Sequence, residues 1–263
     1  MKLTVLMENT TCNPGMLTEH GLSLYIEVNG HRILFDTGQS NAFVKNAAAL
    51  GIDLQAVDIA ILSHAHYDHS GGYRKFMELN EDARIYVNEH ASGRYFSSPT
   101  REIGMGTALD VEGRVVLTRD VCDLGDGLML CTCNDRKPKY EPNAYGLFKL
   151  EDGELQEDDF LHEQYLLIQE EGKEILISGC SHKGILNITE WFKPDVLVGG
   201  FHFKKLDPQG EGKETLDEAA EALRAYKTTY YTCHCTGVEQ YEYMKQQMQE
   251  QVHYIKAGDV LEL

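Results

Sequence analysis

Between residues 63 and 72 the chain reads SHAHYDHSGG, which sets His64, His66, Asp68 and His69 within six positions. The apolar run Val57-Asp58-Ile59-Ala60-Ile61-Leu62 precedes them and reads as a buried strand, so the four groups lie on the loop leaving its C-terminal end. Neutral imidazoles with a carboxylate match borderline divalent cations, zinc first, with iron or manganese suited to a similar cage. Four donors this close are more than one tetrahedral ion uses. His64 and His66, two apart, can point the same way, while Asp68 and His69 turn toward a second position, so two adjacent divalent ions are expected. A solvated polar loop is the ordinary reading of a lone histidine. Four ligand groups at this spacing after a buried strand argue against it.

The elements around this loop must place it. Leu22 to Val28 and His31 to Phe35 flank Asn29-Gly30, a dipeptide suited to the two positive φ angles of a tight hairpin. Asp36-Thr37-Gly38 and a helical stretch around Asn41 to Leu50 follow. Gly113 to Leu117, Leu128 to Cys131 and Leu147 to Leu150, the last turning through Asp152-Gly153, read as strands, whereas Ser97 to Ala108 shows no period and is expected to loop over the site. In the second half a pattern recurs. Glu174 to Ser178 runs into Gly179-Cys180-Ser181-His182, Asp195 to Val198 into Gly199-Gly200-Phe201-His202, and Thr229 to Thr232 into Cys233-His234-Cys235. Helix-like segments follow, the clearest being Thr215 to Tyr226 with Leu216, Ala219, Ala220 and Leu223 on one face. Strands of an α/β sheet deliver ligands outside their C-terminal ends, so histidines at several such ends can converge on one site.

Composition narrows the classes. The 263 residues, 42% hydrophobic and 25% charged, suit a single domain spanning 1–263 and exclude disordered and collagen-like chains. The start MKLTVLME turns acidic too soon for a signal peptide, and no apolar run approaches the roughly 20 residues of a membrane span, so a cytoplasmic protein without membrane contact is expected. Seven cysteines, mostly in apolar segments, suit reduced thiols, with Cys131 and Cys133 read as strand packing. A formal charge of −18 disfavours a nucleic-acid partner and leaves a small molecule as the expected substrate. Lys183, Lys204, Lys205 and Arg74, near the metal motifs in sequence, could supply local positive potential for a phosphorylated one.

Taken in order, EHGLS (19–23), FDTG (35–38), SHAHYDHSGG, FLHEQ (160–164), GCSHKGILN (179–187), GGFH (199–202) and HCTG (234–237) resemble the metallo-β-lactamase superfamily over nearly the whole chain. The likeness is most specific to the branch of dihydropterin-ribofuranosylaminobenzene-phosphate-synthase-like metal-dependent hydrolases. It implies an α/β fold, a four-layer αββα sandwich with a metal pair in the groove at one edge. By family role, His64 and His66 hold the first metal, Asp68 and His69 contribute to the second, and His234 is its late histidine. Asp36 is implied as a carboxylate that orients the loop by hydrogen bonding, against the ordinary reading of a turn-capping aspartate.

One departure stands out. Where the superfamily commonly has Gly-Asp with a bridging aspartate, this chain has Gly179-Cys180. His182 is expected to supply the missing ligand, with Cys180 an inert buried thiol, because a bridging thiolate is oxidation-prone and lowers Lewis acidity. His162 stands roughly where another superfamily histidine belongs, and Glu163 beside it could ligate or handle protons. His202 could bind an anionic substrate group or donate a proton, or merely cap a strand, and His20 is a weaker candidate on a loop overhanging the groove. The resulting expectation is a binuclear metal-dependent hydrolase using a metal-bound hydroxide on a small ester, lactone or phosphoester, with Asp68, His202 and Glu163 as catalytic candidates. The alternatives are a condensation of the dihydropterin-ribosyl-aminobenzene phosphate synthase type and a non-catalytic metal-binding protein of the same fold.

Overall fold

The computed structural model describes residues 1–106 and 113–263. Asn29 and Gly30 take positive φ angles of 51° and 84°, which closes the hairpin of strands Ser23–Val28 and His31–Phe35. That hairpin belongs to a seven-stranded sheet ordered Val260–Glu262, Lys2–Met7, Ser23–Val28, His31–Phe35, Ile59–Ile61, Arg84–Asn88 and Val115–Thr118. From His31–Phe35 onward the pairs are parallel, and the others are antiparallel. A second seven-stranded sheet follows the same plan. Val252–Tyr254, Thr229–Thr232, Val196–Val198 and Lys173–Ile177 are parallel, continued by antiparallel Tyr165–Glu170, Leu128–Cys131 and Val121–Gly125.

Strand alternation sorts the side chains into layers. Ile33, Phe35, Ile59 and Ile61 of the first sheet pack against Ile175, Ile177, Val196 and Val198 of the second in a core between the sheets. Leu34 and Ala60, one residue out of phase, instead meet Phe43, Ala47, Tyr73 and Phe76 of helices Ala42–Ala49 and Tyr73–Leu79. Leu176, Leu197 and Tyr230 likewise meet helices Ile185–Phe192, Lys213–Arg224 and Val238–Met248. The result is helix, sheet, sheet, helix. Leu216, Ala219, Ala220 and Leu223 are the buried residues of Lys213–Arg224, the face that its 3.6-residue period marks.

The Ser97 to Ala108 stretch is not one loop. Arg94–Ser98 and Arg101–Glu102 are strands of a small sheet completed by Phe148–Glu151 and Glu154–Glu157, while Thr107 and Ala108 lie outside the described residues. Arg94 holds the turn through two guanidinium bonds to Glu102, at 2.9 and 2.8 Å, and Phe96 pairs with Phe148. A partner strand some fifty residues on, rather than local periodicity, makes Arg94–Ser98 extended, and Arg101–Glu102 pairs with it in turn. Cys131 and Cys133 both bury in the outer core beneath the helices, and burial raises both thiols above the ordinary cysteine range. Among the described residues, no helix is long and apolar enough to cross a membrane.

Candidate metal centre

The parallel strands of both sheets end at one edge, and their following residues build the site. His31–Phe35 leads to Asp36, Ile59–Ile61 to His64, Lys173–Ile177 to Cys180 and His182, Val196–Val198 to His202, and Thr229–Thr232 to His234. The six expected ligands come together. His64, His66 and His182 offer ligand atoms within 4.8 Å of one another, as do His64, His69 and Cys180, and His20, Asp68 and His234.

The hydrogen bonds fix which ring nitrogens are free. Asp36 is fully buried and accepts from the Ser63 N–H at 2.7 Å through Oδ1, and from the Ser63 hydroxyl and His69 Nδ1, each at 2.6 Å, through Oδ2. With its proton given to Asp36, the Ser63 hydroxyl accepts from His64 Nδ1 at 2.8 Å. Asn9 Oδ1 similarly accepts from His234 Nδ1 at 2.8 Å. Each bond selects the tautomer whose Nε2 lone pair is bare. The bare atoms then face one another. His69 Nε2 lies 3.3 Å from His234 Nε2 and 3.2 Å from Cys180 Sγ, and His234 Nε2 lies 3.3 Å from Asp68 Oδ2. His64 Nε2, His66 Nε2 and both nitrogens of His182 are buried without a hydrogen-bond partner among the described residues. Orphaned imidazoles at this density are costly unless a cation satisfies them, so the donor set fits divalent metal.

Electrostatics agrees. Burial, reinforced by neighbouring imidazoles, pushes His64 and His182 well below the usual histidine range, and burial above all brings His66 down to about 3. These three are neutral imidazoles at physiological pH. Burial alone would raise Asp68, but the hydrogen bond with His234 and the surrounding imidazoles hold it ionised, below the usual carboxylate range.

Several placements differ from the sequence expectation. Cys180 is buried, as expected, yet it lines the cavity against His69 rather than only filling the core, because the turn through Ser181, at a φ of 58°, lets Cys180 and His182 face the same space. The approach depends on Gly179, where a Cβ would run into Ser63 Oγ. Glu163 does not face the cavity. It is fully buried, and its oxygens accept from the backbone N–H groups of His182 and Lys183, at 2.7 and 3.1 Å, and from the Tyr165 hydroxyl at 2.6 Å, so it braces the His182 turn. Lys183 points inward too, donating to the carbonyls of Thr132 and Glu163. Both ring nitrogens of His162 are engaged, Nδ1 accepting from the Ala65 N–H at 3.1 Å and Nε2 meeting Asp158 at 3.2 Å, so it holds the backbone between His64 and His66.

Other contributors carry no sequence motif. Glu8, also fully buried, accepts from the His234 N–H at 2.7 Å and the Tyr254 hydroxyl at 2.8 Å, which anchors His234 at its left-handed φ of 50°. His20, the weaker candidate on the overhanging loop, reaches Asp68 at 3.2 Å.

Above the ligands opens a cavity of about 440 Å³, lined by His20, Asp68, Cys180, His182, His202 and His234 among others. Arg101, Lys204 and Lys205 also line it, against one carboxylate among the described residues, that of Asp68; Arg74 is not among its described lining residues. Half-buried His202 stands 4.3 Å from the His182 ring, with its Nδ1 unpartnered among the described residues. Burial first, then Lys205, lowers its pKa to about 4.

A family model described as metallo-beta-lactamase superfamily matches residues 18–96. Across 95% of this chain and 92% of the relative, the sequence is 30% identical to 7,8-dihydropterin-6-methyl-4-(beta-D-ribofuranosyl)-aminobenzene-5'-phosphate synthase of Methanocaldococcus jannaschii. A second, uncharacterized protein of that organism is 27% identical over 89% of this chain and 90% of its own. Among solved structures, Tm1679, a metal-dependent hydrolase of the beta-lactamase superfamily, matches with a TM-score of 0.81 and 28% identity over 100% of this chain and 99% of that one. Zinc-bound PqqB from Methylobacterium extorquens shares the fold at a TM-score of 0.60 and 12% identity, with 100% of both chains covered.

Proposed function

The chain belongs to the metallo-beta-lactamase superfamily, and from that premise we propose that it is a binuclear metal-dependent hydrolase acting on a small anionic ester, a phosphoester before a lactone. One observation carries the reading: the donor groups form the floor of an open cavity whose wall bears Arg101, Lys204 and Lys205, in a chain of net charge −18. A purely structural metal site has no need of such a chamber. His64, His66 and His182 would hold one ion, and Asp68, His69 and His234 the other, with Cys180 and His20 at its margin; zinc suits this donor set. Divalent ions bound there supply Lewis acidity, lowering the pKa of water and polarising the acceptor oxygen. The chain's own part is positional. Asp36 and Asn9 hold imidazoles in the ligating tautomer, and Glu163 and Glu8 fix the turns that carry His182 and His234. The three cations draw the anion in, and His202, neutral at pH 7, can donate a hydrogen bond to a leaving oxygen.

The test is metal analysis and turnover on the zinc-reconstituted protein with bis(p-nitrophenyl) phosphate, p-nitrophenyl phosphate and a lactone series. The expected result is two metals per chain and chelator-sensitive phosphoester cleavage, with KM raised roughly two- to fivefold in Arg101→Ala or Lys204→Ala. Fewer than one metal per chain, or no turnover of any of these by the loaded protein, overturns the proposal. A condensation like that named for the Methanocaldococcus relative is the second reading, favoured by its whole-length similarity. It predicts product from a pterin diphosphate and a ribosyl aminobenzene phosphate where the esters give none.

A further inference from the structure

Behind the metal chamber lies a second cavity of about 460 Å³, and His182 and His202 line both. Its walls differ in kind from those of the first. Tyr140, Tyr145, Phe201 and Phe203 provide four aromatic faces, and Ile185 and Leu186 provide aliphatic ones. Tyr145 meets the His202 ring at 5.3 Å, which continues the aromatic lining up to the shared partition. The wall is held in place. Asn187 accepts from the N–H groups of Lys139 and Tyr140, each at 2.9 Å, and donates to the Tyr140 carbonyl at 2.8 Å, while Lys205 donates to the Tyr145 carbonyl at 2.7 Å. The segment bearing both tyrosines is thus clamped at two points to elements that flank the metal chamber. The partition itself holds polar atoms without partners among the described residues, both nitrogens of His182 and Nδ1 of His202.

We propose that this compartment receives a flat aromatic ring belonging to the substrate whose anionic ester occupies the metal chamber, an assignment that rests on the hydrolase reading above. Aromatic walls favour a ring over an alkyl chain through offset and edge-to-face contacts, and the volume lies within the range of small-molecule sites. The shared partition places the ring next to the reacting group. His202 Nδ1, without a partner among the described residues, is available to a heteroatom on the ring or to its ester oxygen. The substrate class is therefore an aryl or arylalkyl phosphoester, with charge and ring read by separate chambers.

The experiment is calorimetric titration of the zinc-loaded full chain with inorganic phosphate, n-butyl phosphate, 1-naphthyl phosphate and 1-naphthol. The aryl phosphate is expected to bind about tenfold more tightly than the butyl one. Thr215→Trp, at an exposed position on the cavity rim, and Leu186→Trp should abolish that advantage and weaken 1-naphthol, while leaving inorganic phosphate unchanged. Equal affinity for the two esters, or an aryl advantage that survives both tryptophans, overturns the proposal. If inorganic phosphate fails to bind while 1-naphthol binds and responds to the tryptophans, the compartment stands and the anionic-ester reading falls.

Discussion

Replacing Asp36 by asparagine should switch off ligands of both ions from a position that touches neither. The Ser63 N–H needs an acceptor, so the asparagine carbonyl must take the place of Oδ1, which leaves its NH₂ where Oδ2 now meets the Ser63 hydroxyl and His69 Nδ1. A donor there inverts the network. His69 Nδ1 must become an acceptor, which moves its proton to Nε2, the atom that faces His234 and Cys180. The Ser63 hydroxyl, now accepting from the asparagine, turns its own proton toward His64 Nδ1 and moves that ring's proton to Nε2 as well. Losing a partner that orients a ligand costs about 10- to 100-fold in metal affinity, about 1.4–2.7 kcal/mol, and here one histidine of each ligand group is affected. Zinc affinity by chelator competition should fall by that factor for both ions, and nitrogen NMR of the zinc-free protein should show His64 and His69 changing tautomer. Asp36→Ala provides the contrast, since it strips a fully buried acceptor from three donors and should destabilise the fold itself by about 3–5 kcal/mol. A zinc affinity within twofold of the parent in Asp36→Asn, or unchanged tautomers, would refute the relay.

Two other outcomes follow from the same geometry. His182→Ala leaves only His64 and His66 in its group and should lose about one metal per chain together with hydrolysis, whereas Cys180→Ser should retain both metals, because burial raises the thiol well above the ordinary range and makes it a reluctant thiolate; metal analysis of the two variants side by side checks this, and the reverse order would make Cys180 the ligand. Acidification should release the ions in sequence: His64, His66 and His182 are depressed by burial below the usual histidine range and have no proton to surrender, whereas His234, despite a burial that would lower it, is raised above the usual value by Asp68, so an ion there must displace a proton. Metal content followed from pH 7.5 to 5 should fall by one equivalent before the other, and simultaneous loss would contradict the assignment.

What the sequence made legible follows from where the chemistry is written. His64, His66, Asp68 and His69 are neighbours on one loop, and His182, His202 and His234 each follow an apolar run, so the rule that strands deliver ligands at their carboxyl ends brings them to one edge. The same periodicity marks the buried face of Lys213–Arg224. Glu8 and Asn9 had no such signature. They sit at the end of an ordinary first strand and reach His234 across 226 and 225 positions, a contact that exists only once the sheets are paired. Glu163 and Lys183 show the opposite failure, since proximity to ligands in sequence suggested chemistry while their side chains turned inward to satisfy backbone groups. Arg101 was hidden because it sits on a two-residue strand without apolar period, paired with Arg94–Ser98, and it meets the cavity only once that small sheet has formed.

The division of ligands between the two sheets ties cofactor capture to the order of assembly. A chain that has folded only its first sheet presents His64, His66, Asp68 and His69, but His182 and His234 arrive with the second sheet, and the carboxylate that anchors His234 comes from the first strand. On the proposed ligand sets neither triad is complete until the two sheets dock, so tight binding would be reserved for molecules that have finished the long-range pairing. Bound metal would then serve as a latch on the native arrangement, drawing the folding equilibrium toward the docked form and leaving half-assembled chains nearly bare of the ion.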